Sequence, residues 1–247
     1  MYYENTFPIR AGDADAHLHC RPSGMLDMLQ EAATQAAIEF HASGPEMQKK
    51  YGALWMVTRI WYRLERPLLW NEMLTIRTWH RGDKGVAMYR DFDLYVDGVQ
   101  VGEAVSIWAL VDAERRKPMR LSAIRELDAT SGGALCKDKK LTGIHMPPEM
   151  TLAERRRFHY SDIDCNGHVN NVRYADLAAD AAHLERREKG MFVSRLQIGF
   201  RKECLAGESI DVLTAETEDG IFVRGADQEG EPRFDAQLIL DNLPGLA

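Results

Sequence analysis

Apolar residues recur at helical spacing in two stretches of this chain, and at alternating or continuous spacing in the segments between them. The first helical stretch carries Met25, Met28, Leu29, Ala32, Ala33 and Ala36. Ser23 is placed to cap its start, it runs to about His41, and Gly44-Pro45 is expected to stop it. The second carries Tyr174, Leu177, Ala178, Ala181, Ala182 and Leu184 behind Asn170 or Asn171 as N-cap, with Gly190 as its expected end. A short strand precedes each helix. Apolar runs then predict strands over residues 55–65, 73–80, 86–95 and 99–111, and over 193–202, 209–216, 221–226 and 233–240. Asp97-Gly98, Asp219-Gly220 and Gly230 supply the turns.

This order of elements occurs twice because the chain repeats itself. Asp13-Ala14-Asp15-Ala16-His17-Leu18-His19 lies over Asp162-Ile163-Asp164-Cys165-Asn166-Gly167-His168 without a gap, and the same register puts Met25 on Tyr174 and Ala32-Ala33 on Ala181-Ala182. A second, shorter register lays Val57-Thr58-Arg59-Ile60 over Val193-Ser194-Arg195-Leu196 and continues through Leu69 on Leu205. Repeated supersecondary units imply duplicated domains. The predicted fold is α+β: two tandem hotdog domains, each a long helix wrapped by a curved antiparallel sheet. The boundary is expected within residues 129–148, where Gly132-Gly133, a Lys-Asp-Lys-Lys run and Pro147-Pro148 have the composition of a linker. That divides the chain into an N-terminal domain over 1–130, a linker over 131–150 and a C-terminal domain over 151–247.

Composition narrows the classes. At 247 residues the chain is long enough for two small domains. A formal net charge of -7 argues against a nucleic-acid binder, which carries a basic excess. No apolar run approaches the roughly 18 residues of a membrane span. The start, Met1-Tyr2-Tyr3-Glu4-Asn5, has neither a basic region nor an apolar core, so no leader is read and a cytoplasmic protein is expected. The four cysteines, Cys20, Cys136, Cys165 and Cys204, form no CxxC pair, so neither a disulfide framework nor a metal site is expected.

The chemistry concentrates in the second half. Asp164, Asn166 and His168 stand two residues apart, which in an extended segment points all three to one side. Asn170 and Asn171 then open a helix, whose partly positive end lies next to the trio. A carboxylate base, an orienting amide, an imidazole and backbone N–H donors near residues 169–171 are the parts needed to hydrolyse an activated acyl group. The first half keeps Asp15 and His19 but has His17 in place of Asn166, an incomplete echo.

These residues resemble the acyl-acyl-carrier-protein thioesterases, a family of tandem hotdog enzymes. Asp164-Cys165-Asn166-Gly167-His168-Val169-Asn170-Asn171-Val172-Arg173-Tyr174 resembles the family's catalytic loop and helix start, and Phe200-Arg201-Lys202-Glu203-Cys204 its later strand motif. In the first half, Met28-Leu29-Gln30-Glu31-Ala32-Ala33, Leu54-Trp55-Met56-Val57-Thr58-Arg59 and Ser106-Ile107-Trp108 are also similar to it. The likeness runs over about residues 5–240. It implies Asp164, Asn166, His168 and Glu203 as the catalytic set, with Cys204, Asn170 and Asn171 as accessory residues. The first half, where Pro67-Leu68 replaces Glu203-Cys204, is then expected to be silent and to shape the acyl pocket through Met25, Met28, Trp55 and Met56.

The implied activity is hydrolysis of fatty acyl-carrier-protein thioesters, without cofactor or metal, by carboxylate- and histidine-assisted attack of water. Whether Asp164 or Glu203 is the base, and whether Asp164 attacks directly to give an anhydride, stays open. The implied partner is an acidic carrier protein bearing a phosphopantetheine-linked acyl chain, with Arg173, Arg186, Arg187, Arg201 and Lys202 as docking candidates and a monomer or homodimer as the assembly. The loop is shared with single-domain hotdog enzymes acting on acyl-CoA, which Gly167 matches, whereas the tandem architecture and Glu203-Cys204 favour the carrier-protein enzymes. An acyl-CoA thioesterase is therefore the nearest alternative, a non-catalytic acyl- or pantetheine-binding module the next. A hotdog dehydratase has no matching motif here.

Overall fold

The computed structural model describes residues 1–120, 122, 132–137, 139–188 and 190–243, and of residues 82–84 the backbone only. Its described residues form two compact units. The first comprises Met1–Pro8, Asp27–Tyr62 and Glu72–Leu141; the second comprises Ile9–Leu26, Arg63–Asn71 and the chain from Thr142 onward.

In the first unit, β1 (Tyr3–Pro8), β3 (Met73–Lys84), β4 (Ala87–Val96) and β5 (Val99–Asp112) pair antiparallel in that order, and β2 (Ala53–Leu64) lies beyond β5. Asp97 and Gly98 both have positive φ, the mirror-image turn whose twist suits adjoining strands, and they set Val96 opposite Val99. Alternation then buries Met88, Phe92, Leu94 and Val96 of β4 on one face. The helix α1 (Pro22–Glu39) buries Met25, Met28, Leu29, Ala32, Ala33 and Ala36, the apolar set its spacing predicts.

Three local expectations are corrected. Gly44-Pro45 does not end the first helix, which stops at Glu39; it opens a further helix, α2 (Gly44–Tyr51). Ser43 and Glu46 form its cap, the Glu46 carboxylate accepting from the Ser43 amide at 3.1 Å and hydroxyl at 2.6 Å. The Ser-x-x-Glu signal was present in the sequence. Ser23 is not a cap, because α1 already begins at Pro22, whose fixed φ suits a first turn. The second-half helix, α3 (Asn171–Ala181), ends well before Gly190: His183 turns left-handed and the Arg187 guanidinium caps the Ala182 carbonyl at 3.1 and 3.3 Å.

The stretch with linker composition docks along the first unit. The Gly132 amide donates to the His80 carbonyl at 2.9 Å, Lys137 reaches Asp93 at 2.6 Å and Glu103 at 2.8 Å, and the Lys139 ammonium sits 3.6 Å over the Trp61 ring. Residues 129–131 and 138 lie outside the described residues.

In the second unit, β7 (Met191–Phe200), β10 (Pro232–Asn242), β9 (Gly220–Ala226), β8 (Ser209–Thr217) and β6 (Thr151–Arg157) pair antiparallel in that order. α3 packs on β8, β9 and β10. Tyr174 is the aromatic hub, its ring 5.1 Å from Phe234 and 6.0 Å from both Phe158 and Phe200. Gly225 makes room for that hub: a Cβ there would meet the Phe234 ring at 2.3 Å. No helix among the described residues is long and apolar enough to cross a membrane.

Candidate active site

The Asp164–His168 segment is a tight turn rather than an extended run, which corrects the expectation of three side chains on one side of a strand. Asp164 Oδ1 accepts the Asn166 amide at 2.8 Å and the His168 amide at 3.4 Å, and the Asp164 carbonyl accepts the Gly167 amide at 3.1 Å. The Asp164 amide returns to the His168 carbonyl at 2.8 Å, closing the loop. A carboxylate two residues before a backbone amide makes this turn by itself. Oδ2 is left facing the Asn166 side-chain amide at 3.4 Å.

The repeat extends to these bonds. In the first half, Asp15 Oδ1 accepts the His17 amide at 2.8 Å and the His19 amide at 2.9 Å, and the Asp15 amide donates to the His19 carbonyl at 2.8 Å. Gly167 has φ +81° and Leu18, its counterpart, has φ +63°. Nothing lies within 4 Å of a Cβ built on Gly167, so Gly167→Ala tests the backbone alone. It should cost about 1 kcal/mol in urea unfolding, the torsional penalty of a Cβ in this region.

A backbone hydrogen bond ties the loop of one second-half motif to the end of the other. The Val169 amide donates to the Cys204 carbonyl at 2.9 Å. The residues just before each, His168 and Glu203, are thereby set side by side, with His168 Nε2 3.4 Å from Glu203 Oε2. Their side chains are 27% and 37% exposed, so the pair is open to solvent. The first half makes the same bond, from the Cys20 amide to the Leu68 carbonyl at 2.7 Å. The residue it sets beside His19 is Pro67, which has no carboxylate. The four residues thus come together as two pairs, Asp164 with Asn166 and His168 with Glu203.

Backbone donors are fewer than the sequence suggested. The Val169 amide is taken by Cys204, and the Asn170 amide donates to the Asp162 carbonyl at 2.8 Å. Asn170 itself caps α3, its Oδ1 accepting the Val172 amide at 3.0 Å; Asn171 is the first residue of the helix. Asp162 is buried and structural, held by Arg156 at 2.9 Å and the His159 amide at 2.8 Å. Cys204 is fully buried, and burial pushes its thiol pKa up, so it is a thiol rather than a thiolate at neutral pH. The Tyr174 hydroxyl lies beside it without completing a hydrogen bond.

Arg233 is the residue the sequence reading missed. It is buried on β10, and its guanidinium donates to the Glu203 carbonyl at 2.7 Å and meets Asp227 at 3.1 Å. Its own carbonyl accepts the Arg201 amide at 2.9 Å and the Lys202 amide at 3.4 Å. One residue therefore holds the whole 201–203 segment, and no local motif marks it. Arg233→Met should lower kcat about ten- to a hundredfold with little change in KM, since Glu203 loses its backbone anchor while remaining present; steady-state kinetics check this.

The remaining candidates are spread more widely. Met25 and Met28 are buried, Met56 is exposed, and Trp55 donates its indole N–H to the Ala42 carbonyl at 2.9 Å. Four of the five basic docking candidates are in ion pairs: Arg173 with Asp176 at 2.9 Å, Arg186 with Glu185 at 3.1 Å, Arg187 with Glu216 at 2.9 Å and Arg201 with Asp235 at 3.0 Å. Lys202 is exposed and has no ion-pair partner among the described residues. No group of three or more His, Cys, Asp and Glu arranged for a metal ion occurs among the described residues.

Comparison with known proteins gives the family. Residues 1–125 match the model of the acyl-ACP thioesterase N-terminal domain, and residues 147–240 match that of the acyl-ACP thioesterase C-terminal domain. A palmitoyl-acyl carrier protein thioesterase of Gossypium hirsutum is 26% identical over 219 residues, covering 83% of this chain and 49% of the relative. An oleoyl-acyl carrier protein thioesterase of Coriandrum sativum is 23% identical over 245 residues, covering 89% of this chain and 64% of the relative. The chain thus spans roughly half to two thirds of the length of these relatives.

The fold matches an acyl-ACP thioesterase of Bacteroides thetaiotaomicron at a TM-score of 0.81 and 20% identity, over 97% of this chain and 98% of that one. It also matches the 12:0-ACP thioesterase of Umbellularia californica at 0.82 and 19%, over 98% of this chain and 97% of that one. The architecture is therefore the hotdog-type α+β fold that the repeat predicted. With both domain models matched in order, the chain belongs to the acyl-ACP thioesterase family.

Proposed function

We propose that the chain hydrolyses the thioester of fatty acyl-carrier protein, releasing free fatty acid and the carrier's thiol. The observation that carries this reading is the His168–Glu203 pair at 3.4 Å, half-open to solvent beside a loop ordered by Asp164. The Glu203 carboxylate orients the imidazole and stabilises it when protonated. His168 takes a proton from water as the water oxygen bonds to the thioester carbon. The C–S bond then breaks, and the proton returns to the leaving thiolate. A thioester is an activated acyl group, so general base catalysis suffices without a covalent intermediate. The Asn166 amide is the polar side chain placed to steady the substrate carbonyl.

The first half is proposed to house the acyl chain and to be catalytically silent, because Pro67 stands where Glu203 would have to be. The carrier protein's phosphopantetheine arm would enter at the second-half loop, and a cytoplasmic location belongs to the same proposal. The decisive test is release of free thiol from acyl-carrier protein against acyl-CoA of the same acyl chain. A marked preference for the carrier supports the reading, and a marked preference for CoA reverses it. With the arginines largely paired, docking falls chiefly to Lys202 beside the site. Lys202→Glu should raise KM for acyl-carrier protein a fewfold and flatten its salt dependence while leaving kcat unchanged; an unchanged KM at low salt would remove Lys202 from the docking surface.

A further inference from the structure

The inner face of the first unit should be apolar, yet it carries a polar row. β3, β4 and β5 set His80, Arg90 and Ser106 opposite one another in register, and all three are buried. Their neighbours on the same alternation include the buried polar Thr78 and the buried apolar Ile76, Met88, Phe92, Leu94, Ala104 and Leu110. Arg90 is 4% exposed, and its Nη1 makes a long hydrogen bond to the Thr78 hydroxyl at 3.3 Å. No carboxylate among the described residues pairs with it, whereas Arg81, on the opposite face, forks onto Asp91 at 2.5–2.9 Å. Burial alone lowers the Arg90 pKa to about 10.

A buried guanidinium with no counter-charge among the described residues is unfavourable, and an apolar side chain of the same length would serve packing better. The row is also unbalanced in hydrogen-bond character. Arg90 has only donors, and among the described residues its one hydrogen bond is from Nη1 to Thr78. Ser106 Oγ already accepts the Trp108 indole N–H at 2.7 Å, which leaves its own hydroxyl hydrogen to give. Donors that converge in an apolar interior call for an acceptor oxygen.

We infer that this row is a recognition site for an oxygen carried on the acyl chain, so that the substrates are hydroxy- or oxo-acyl groups rather than plain alkyl chains. The inference rests on the proposed thioesterase reading, with the acyl chain housed in the first unit. Arg90 is then a specificity determinant. A substrate oxygen spends its N–H groups, and an unsubstituted chain leaves them stranded, a difference worth about tenfold or more in binding.

The test is equilibrium binding, followed by tryptophan emission, of the full chain to methyl laurate and to its derivatives hydroxylated at the β carbon, at mid-chain and at the terminal carbon, which are isomers of one another. At least one hydroxylated isomer should bind about tenfold more tightly than methyl laurate. In Arg90→Met that preference should vanish, with methyl laurate binding retained and the melting temperature raised. The wild-type ranking needs no variant: if methyl laurate binds as tightly as every isomer, or if no ester binds, the inference fails. A preference that survives in folded Arg90→Met also overturns it. Hydrolysis of the carrier-protein thioesters of lauroyl and of the same hydroxylated chains is measured alongside. Absence of hydrolysis with all of them counts against the thioesterase reading, while the ester ranking decides the role of Arg90 separately.

Discussion

His168→Gln and Glu203→Gln each lower kcat for acyl-carrier protein by about a hundred- to ten-thousandfold, the range for removing one member of a general-base pair. Both changes preserve side-chain volume at positions that are partly exposed, so the melting temperature stays close to that of the wild type. The diagnostic is the double variant. If Glu203 acts by orienting and stabilising the His168 imidazolium, the second substitution adds little to the first, and the combined loss falls well short of the product. Independent roles, with Glu203 polarising one water and His168 acting elsewhere, give losses that multiply. Single-turnover hydrolysis with quantified free thiol separates these outcomes. A double variant as active as the wild type would leave the pair without a part in the reaction.

Asp164 requires a different design, because its carboxylate does two things. It binds two backbone amides that shape the loop, and it presents Oδ2 to Asn166. Asp164→Ala removes both and cannot tell them apart. Asp164→Asn keeps an oxygen for the two amides and removes only the charge. If Asp164 is a base or nucleophile, Asp164→Asn loses activity by about a hundredfold or more while its unfolding curve is little changed. If Asp164 is purely a loop former, Asp164→Asn retains most of its activity and Asp164→Ala loses both stability and rate. The counterpart Asp15→Asn is an internal control. The same backbone bonds are present there, so it reports the structural effect with no chemistry attached.

The repeat, read as residues alone, reaches a long way into the molecule. Hydrophobic spacing places α1 and its buried face, since a helix that must bury one stripe shows that stripe in the sequence. The strands are legible to within a few residues, because alternation survives wherever one face is wet. Helix ends are less legible: Gly44-Pro45 reads as a stop, yet with Ser43 and Glu46 around it the same pair opens α2. The end of α3 depends on Arg187 reaching back to the Ala182 carbonyl, a contact without periodicity.

The Asp164–His168 loop divides in the same way. That Asp164 closes a turn on Asn166 and His168 is a local matter, written into five consecutive residues and written again at Asp15. That Glu203 stands next to His168 is not local, since the two are far apart in the chain. A single amide, Val169 to the Cys204 carbonyl, brings them together, and Arg233 from a third segment holds Glu203 in place. The sequence by itself determined the duplicated fold, the helix and strand faces and the loop's own turn, because each follows from side chains acting on their nearest neighbours. Only the tertiary structure decided which loop acquires a carboxylate partner, which backbone donors are already spent, and that the Arg90 guanidinium is buried with no carboxylate partner among the described residues. Those depend on hydrogen bonds between segments that no spacing along the chain records.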